Sequence, residues 1–412
     1  MLSLKQAIEI GLQNNFDVRI ARNDALFAKE SNTYGNAGFL PNVALNGNRT
    51  WQSTDLRQEF SSGLVVERAG ANSTNTSAGL GISWVLFDGG KMFITKKKQD
   101  VQEDAGNIRL QSQMQNLTDT LSAAYYQVVM ARLDIEITTQ DIGRTEERLK
   151  ISTGQFAAGA RSKSDMLIAQ IDLNILKTRL LNQKSVAEIR KGQLNQLMGR
   201  DPSEAYEVET EVVLNNQPEY SQLKTQLVAE NAQLRFQKRQ FEVSKLTVEE
   251  LKTRRFPLIS LNGGYNFTQN KNEAGFSLLS QNLGPSIGIG LSLPIYSGNS
   301  VRQLLKLADL DLQTRSLQLQ SIENRLLTQL WRAVQSHDFQ LESIKIEEEN
   351  IGLAKENLAI AQGRFKMAQS TSLELKDAEL QLSNAQTRLN QARYNAKIAE
   401  NQILRLRGNM QL

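Results

Sequence analysis

The segment PSIGIGLSLPIY (285–296) alternates large and small residues with a period of two. Ile287, Ile289, Leu291, Leu293 and Ile295 share one parity, while Ser286, Gly288, Gly290 and Ser292 share the other. Successive side chains of a strand point to opposite faces, so this segment has one large apolar face and one face of small residues. ISLNGGYNF (259–267) repeats the pattern through Ile259, Leu261, Gly263, Tyr265 and Phe267. Leu80, Ile82, Trp84 and Leu86 alternate with Gly79, Gly81 and Ser83 in an earlier segment. A sheet in water would cover such an apolar face with a helical layer. The rest of this chain offers only narrow helical seams. Lipid is the other way to bury the face, and strands of about 10 residues with apolar residues outside and small polar residues inside build membrane barrels. Four such strands are fewer than the smallest barrel of about 8, so several copies must share one barrel.

All six prolines (Pro41, Pro202, Pro218, Pro257, Pro285, Pro294) fall outside 91–199 and 299–412. Proline would remove a helical hydrogen bond, so both stretches are free to be long helices. Leu121, Val128, Ile135, Ile142 and Leu149 recur every seven residues, as do Leu330, His337, Ile344, Ile351 and Leu358. Later, Met166, Ala169, Leu173, Leu176 and Leu180 are matched by Leu375, Ala378, Leu382, Ala385 and Leu389. Steps of three and four summing to seven describe coiled-coil seams. A helix from 91 to about 152 would be roughly 90 Å long.

The chain is one unit written twice. Phe156 and Phe365 stand 209 positions apart, and Gly143/Gly352, Gly154/Gly363 and Gly199/Gly408 keep that spacing. Upstream, FLPNVALNG (39–47) aligns with RFPLISLNG (255–263) at a spacing of 216. A gapless match this long marks a duplication. The first repeat is 1–203, with a β-arm at 39–88 and a helical hairpin turning near 159. The second is 218–412, with a β-arm at 256–297 and a turn near 368. Residues 204–217 link them. The polar stretches 52–77 and 268–284 are expected to be the loops of the two arms.

Composition excludes much. There is no cysteine and a single histidine, His337, which leaves no thiol chemistry and no multi-histidine metal site. Neither a P-loop nor a dinucleotide fingerprint is present, so no enzyme active site and no cofactor are expected. The 48 basic and 44 acidic residues nearly balance and form no basic patch, which argues against nucleic acid. No apolar run reaches 18 residues, so no transmembrane helix is expected. The opening MLSLKQAIEIGL lacks a charged-then-apolar leader, consistent with a cytoplasmic protein or a removed signal peptide.

Several segments together resemble the TolC-type outer-membrane efflux channels, the outer-membrane factor family, over essentially the whole length. They are LSLKQAIEIGLQNNFDVRIAR, its counterpart NNQPEYSQLKTQLVAENAQLR, the strand entries FLPNVALNG and RFPLISLNG, and the helix entries WVLFDGGK and LPIYSGN. The tips RLKISTGQFAAGARSKSDMLIAQIDL and NLAIAQGRFKMAQSTSLELKDAELQL complete the pattern. The resemblance implies a mainly α fold with membrane β: a homotrimer whose protomers each give four strands to a 12-stranded β-barrel on a long α-helical barrel. It implies residence in the outer membrane of a Gram-negative bacterium, with the helices in the periplasm. A periplasmic adaptor and an inner-membrane pump would be the partners, in efflux or type I secretion. The alternative class is a soluble periplasmic coiled-coil scaffold or adaptor, for which four alternating strands would have no use.

By the same resemblance, acids just past the second tip face the pore axis. Glu374 and Asp377 occupy those positions, one helical turn apart, and Asp165 is the acid after the first tip. Taken alone, such acids are ordinary solvated helix residues, and their place after a duplicated tip is what suggests a gate. Phe156, Gly159, Arg161, Ser162 and Lys163 would make the first tip and its adaptor contact, and Phe365, Ala368, Ser370 and Thr371 the second. The second tip departs from the family pattern: Ala368 replaces a usual glycine, Phe365 a tyrosine and Ser370 an arginine. His337 is expected to be a packed seam residue, as is Trp331, while Trp51 and Trp84 suit an interfacial belt. Gly143 and Gly352 are expected to serve as hinges or close helix contacts.

Overall fold

A computed structural model describes residues 1–215 and 218–408. In order, the elements are α1 (Leu4–Asn14), α2 (Phe16–Ser31), β1 (Asn42–Glu59), β2 (Val65–Phe87), α3 (Lys91–Ala157) and α4 (Lys163–Leu197), followed by α5 (Tyr220–Glu230), α6 (Ala232–Lys252), β3 (Leu258–Asn272), β4 (Leu279–Ser292), α7 (Ser300–Lys366) and α8 (Ser372–Leu406). The duplication is written into the lengths. Helices α3 and α7 both have 67 residues, and α4 and α8 both have 35. Every boundary of the second hairpin lies 209 positions after its counterpart.

The chain forms two compact units, each drawing on both repeats. One unit contains 1–25, 106–237 and 318–412 and is helical. It holds two cores that are copies of each other: Leu117, Leu121 and Leu194 in one, Leu326, Leu330 and Ile403 in the other. A shared device fixes the short helices. Asn15 Nδ2 donates to the Leu197 carbonyl at 2.9 Å, and Asn231 Nδ2 donates to the Leu406 carbonyl at 2.9 Å. The same two side chains accept from the backbone N–H groups of Val18 and Leu234, capping α2 and α6. The segment after α4 is tied down where Leu2 N donates to the Glu207 carbonyl at 2.7 Å and Arg132 donates to the Val208 carbonyl at 2.8 Å. Residues 216 and 217 of the 204–217 linker, and 409–412 of the second repeat, lie outside the described residues.

The other unit contains 26–105 and 238–317 and carries an antiparallel sheet in the order β1-β2-β3-β4. Its register explains the sequence alternation. Val43 faces Ile82, Ile82 faces Gly263 and Gly263 faces Ile287; the next row on that face is Leu45, Leu80, Tyr265 and Pro285. The face is apolar across all four strands and uncovered, with Ile287 82% and Ile289 74% exposed. The opposite face has the row Ala44, Gly81, Gly264, Ser286. Among the described residues β1 and β4 are unpaired edges.

Two expectations are corrected here. The strands are 18, 23, 15 and 14 residues long, not about 10. Most of the polar stretches expected to be loops belong to the ladder: the turns span only 60–64 and 273–278. Serine, threonine and asparagine side chains there do not interrupt pairing, because each ladder bond is backbone to backbone. Cross-strand contacts add to it, as where Arg57 meets Glu67 at 3.0 Å.

The helical seams also differ in part from the heptad reading. In the C-terminal half of α3, Ile135, Ile142 and Leu149 are only half-buried. The fully buried stripe there is Thr138, Asp141, Thr145, Arg148 and Ser152, spaced by three and four but polar. Trp331 is exposed rather than packed in a seam, whereas His337 is buried. Around Gly143 and Gly352 nothing lies within 4 Å of an added Cβ, so packing within the chain does not require either glycine.

Candidate functional site

The two helical tips are built by the same local chemistry. In the first, Ala160 N donates to the Gln155 carbonyl at 2.8 Å and Gly159 N to the Phe156 carbonyl at 2.9 Å. In the second, Gln369 N donates to Arg364 at 2.9 Å and Ala368 N to Phe365 at 3.1 Å. Both pairs are Schellman turns, which end a helix with one residue in the left-handed region. Gly159 takes that position with φ 72°, and Ala368 takes it with φ 57°. An alanine Cβ strains this backbone, at a cost on the order of 1 kcal/mol. Ala368→Gly is therefore expected to stabilise the second tip by roughly 0.5–1 kcal/mol. Slower amide exchange at the 366–370 turn would register it; unchanged or faster exchange would show that the strain is absent.

Both returning helices begin with an acid at their third position. Thr371 Oγ1 accepts from Glu374 N at 3.2 Å and donates to the Glu374 carboxylate at 3.3 Å. In the first tip Ser162 Oγ instead donates to Asp165 Oδ2 at 3.2 Å. Glu374 and Asp165 thus also serve their own helix starts, where a carboxylate is favoured by the exposed N–H groups. Asp377 has no such local role. It is exposed and accepts from Gln381 Nε2 at 2.8 Å. Glu374 is exposed as well, and so are Ser162 and Lys163.

The structure brings Arg161, Phe365 and Ser370 together. The Arg161 guanidinium lies 4.6 Å from the centre of the Phe365 ring and donates to the Ser370 carbonyl. Gln155 Nε2 donates to the Phe365 carbonyl at 3.0 Å. Phe365 is completely buried under these contacts, whereas its counterpart Phe156 is 39% exposed. The position that carries Arg161 in the first tip carries Ser370 in the second. The second tip reaches across by other side chains, as where Lys366 pairs with Glu147 at 2.9 Å.

Two to four turns back from the tips lies a charged cluster that the sequence reading missed. Arg148 Nη2 donates to Asp172 Oδ2 at 2.8 Å, and Nη1 stands 3.5 Å from Glu379 Oε2. Lys376 Nζ donates to the other Asp172 oxygen at 2.7 Å. Ser383 Oγ donates to Asp141 Oδ2 at 2.8 Å, and Arg144 also pairs with Asp141. The Arg148 side chain is 2% exposed. Burial pushes the Glu379 carboxyl above its usual range, against the opposing pull of Arg148. A cavity of about 220 Å³ lies beside these groups. The cluster pins α3 to α4 within one hairpin and to α8 of the other. The signal for it was the three-and-four spacing of 138, 141, 145, 148 and 152, a seam period that an apolar-only search passes over.

The sequence profile described as outer membrane efflux protein matches residues 7–200 and 223–409. Outer membrane protein TolC of Vibrio cholerae is 23% identical over 297 residues, covering 70% of this chain and 63% of that protein. Nodulation protein T of Rhizobium leguminosarum bv. trifolii is 24% identical over 312 residues, covering 73% and 62%. The chain therefore spans less than two thirds of the length of either relative. The solved structure of the outer membrane protein VceC from Vibrio cholerae superposes with a TM-score of 0.82 at 17% identity, covering 98% of this chain and 96% of that one. With profile matches in both repeats and the same fold, the chain belongs to the outer membrane efflux protein family.

Proposed function

We propose that the chain is the outer-membrane exit duct of a tripartite efflux or type I secretion system in a Gram-negative bacterium. Three copies share a 12-stranded barrel, and their helices line the periplasmic part of the duct. The tips, from Phe156 to Lys163 and from Phe365 to Thr371, meet a periplasmic adaptor that couples them to an inner-membrane pump. One observation carries the reading: a four-stranded sheet with an exposed apolar face, small polar residues behind it and two open edges. Such a sheet is stable only where lipid covers the face and further strands close the edges. Light scattering in detergent tests it, with a trimer expected and a detergent-independent monomer overturning it.

Within that duct Glu374, Asp377 and Asp165 form the gate, and three copies bring the acids of each position into a ring. Stacked carboxylates attract cations and hold multivalent ones at a narrow mouth. Asp377→Asn is expected to weaken cation selectivity and block by a trivalent cation with little loss of stability, since an exposed charge contributes only about 0–1 kcal/mol. Glu374→Gln acts in the same direction and also loosens the start of α8. Planar-bilayer conductance of both variants reads the effect. Selectivity and block equal to wild type in the double variant would remove these acids from the gate.

A further inference from the structure

In the stretches where the four strands pair, 42–52, 73–87, 258–272 and 279–292, only Arg49 and Lys271 are charged. Both belong to the apolar face. Toward the turns, the row Gly47, Ala78, Phe267, Leu283 closes the apolar band. Arg49 stands in the next row of that face, and Lys271 in the one after, level with Trp51. The hairpin beyond carries both signs instead, and there Arg57 and Glu67 pair at 3.0 Å.

A cation on a lipid-facing strand is costly at the middle of a membrane and nearly free of cost at its interface. From Leu291 to Leu283 the apolar band runs about 27 Å along the strand, which is roughly 20 Å of height at the tilt of a barrel strand. Arg49 and Lys271 stand about 5 and 10 Å beyond its edge, at the depth of lipid headgroups. Helices α3 and α7 follow the other ends of β2 and β4. With those helices in the periplasm, the edge that carries the two cations lies in the outer leaflet.

Among the described residues neither cation has a carboxylate within ion-pair distance. Glu273, two residues after Lys271, accepts instead from Asn72 N and Nδ2, both at 3.1 Å. The Arg49 guanidinium lies 5.0 Å from the centre of the Trp51 ring, and Trp51 is 68% exposed. Tryptophan suits a membrane interface, and a stacked guanidinium keeps its N–H edge free to donate to an anion. Two strand spacings and one row separate Arg49 from Lys271, about 12 Å between main chains. Both long side chains can therefore reach one headgroup that carries two phosphates. We propose that Arg49 and Lys271 bind the phosphates of an outer-leaflet lipid, a phosphorylated glycolipid of the lipid A type, on the outside of the barrel beside Trp51. The inference rests on the membrane reading above and adds the headgroup chemistry.

Native mass spectrometry of the detergent-solubilised protein with added bisphosphorylated lipid A tests it, because bound lipid and number of copies are read in one spectrum. Wild type should bind this lipid well above its dephosphorylated form. Arg49→Gln with Lys271→Gln should weaken the binding by roughly tenfold or more, while Lys271→Arg, which keeps the charge, should match wild type. Each single glutamine variant should show a smaller loss, and these carry the test if the double variant fails to assemble. Suppose the trimer is intact but binds both forms of the lipid equally, or the glutamine variants bind as wild type does. The inference then falls while the duct stands. Displacement of the lipid by inorganic phosphate would mark a site for a free anion and would also overturn it. If no trimer exists, both readings fall.

Discussion

Arg148→Ala should destabilise the tip ends of the α3–α4 and α7–α8 hairpins by about 3–5 kcal/mol, the expected result of removing one partner from a buried ion cluster. The mutation leaves Asp172 with only Lys376 and takes from Glu379 the guanidinium 3.5 Å away. The Arg148 side chain is almost wholly buried, so solvent screening takes little from this figure. Amide hydrogen exchange along α4 and α8 measures it locally. Protection there should fall by about a hundredfold to several thousandfold, while the cores around Leu121 and Leu330 keep theirs. Equal loss everywhere would mean that the cluster holds the whole unit, and no loss would mean that it holds nothing.

Glu379→Gln should act in the opposite direction. Burial raises the Glu379 carboxyl above its usual value, so its stabilising contribution is fully present below the ordinary glutamate pKa of 4.5. It is lost as pH rises through the raised value, because the buried group must then ionise. A neutral amide avoids that cost. The variant should match or exceed wild-type protection at neutral pH and should lose the dependence on pH just above 4.5.

Ile289→Arg carries the second large effect. Ile289 sits in a row with Leu261 and Trp84 on the exposed apolar face of the sheet. Arginine near the middle of a lipid-facing band costs about 2–4 kcal/mol, and three copies in one barrel would multiply it to roughly 6–12 kcal/mol. Ser286→Arg, on the opposite face beside Asn266, should be tolerated, because that face borders water in a barrel. The amount of trimer assembled in the outer membrane distinguishes the two. Equal assembly would show that neither face meets lipid.

The element plan was legible because it rests on local properties of the chain. Proline exclusion, period-two alternation and the repeat spacing depend on neighbours a few positions away, or on copying alone. They gave the helix–strand–strand–helix order twice, and the observed helices keep the 209 spacing at every hairpin boundary. Strand ends were misread for a local reason too. Polar side chains such as Ser73 and Thr74 look like loop, yet their backbones pair with Gln52 and Trp51. The tip residues were legible as a group, but their wiring was not. Nothing in the sequence pairs Arg161 with Phe365 and Ser370, because that contact joins segments from two repeats.

The long helices, the two β-arms and the apolar strand face are patterns written within single elements, and the duplication is a match of the chain to itself, so each is readable without coordinates. Which side of α3 faces α8 follows from packing between elements, and that packing makes one cluster of Asp141, Arg148, Asp172 and Glu379. Identical periodicity in the two repeats cannot distinguish a covered seam from an open one. Arg148 is buried and Asn357 exposed at the same repeat position because α8 packs on the first and no helix among the described residues packs on the second.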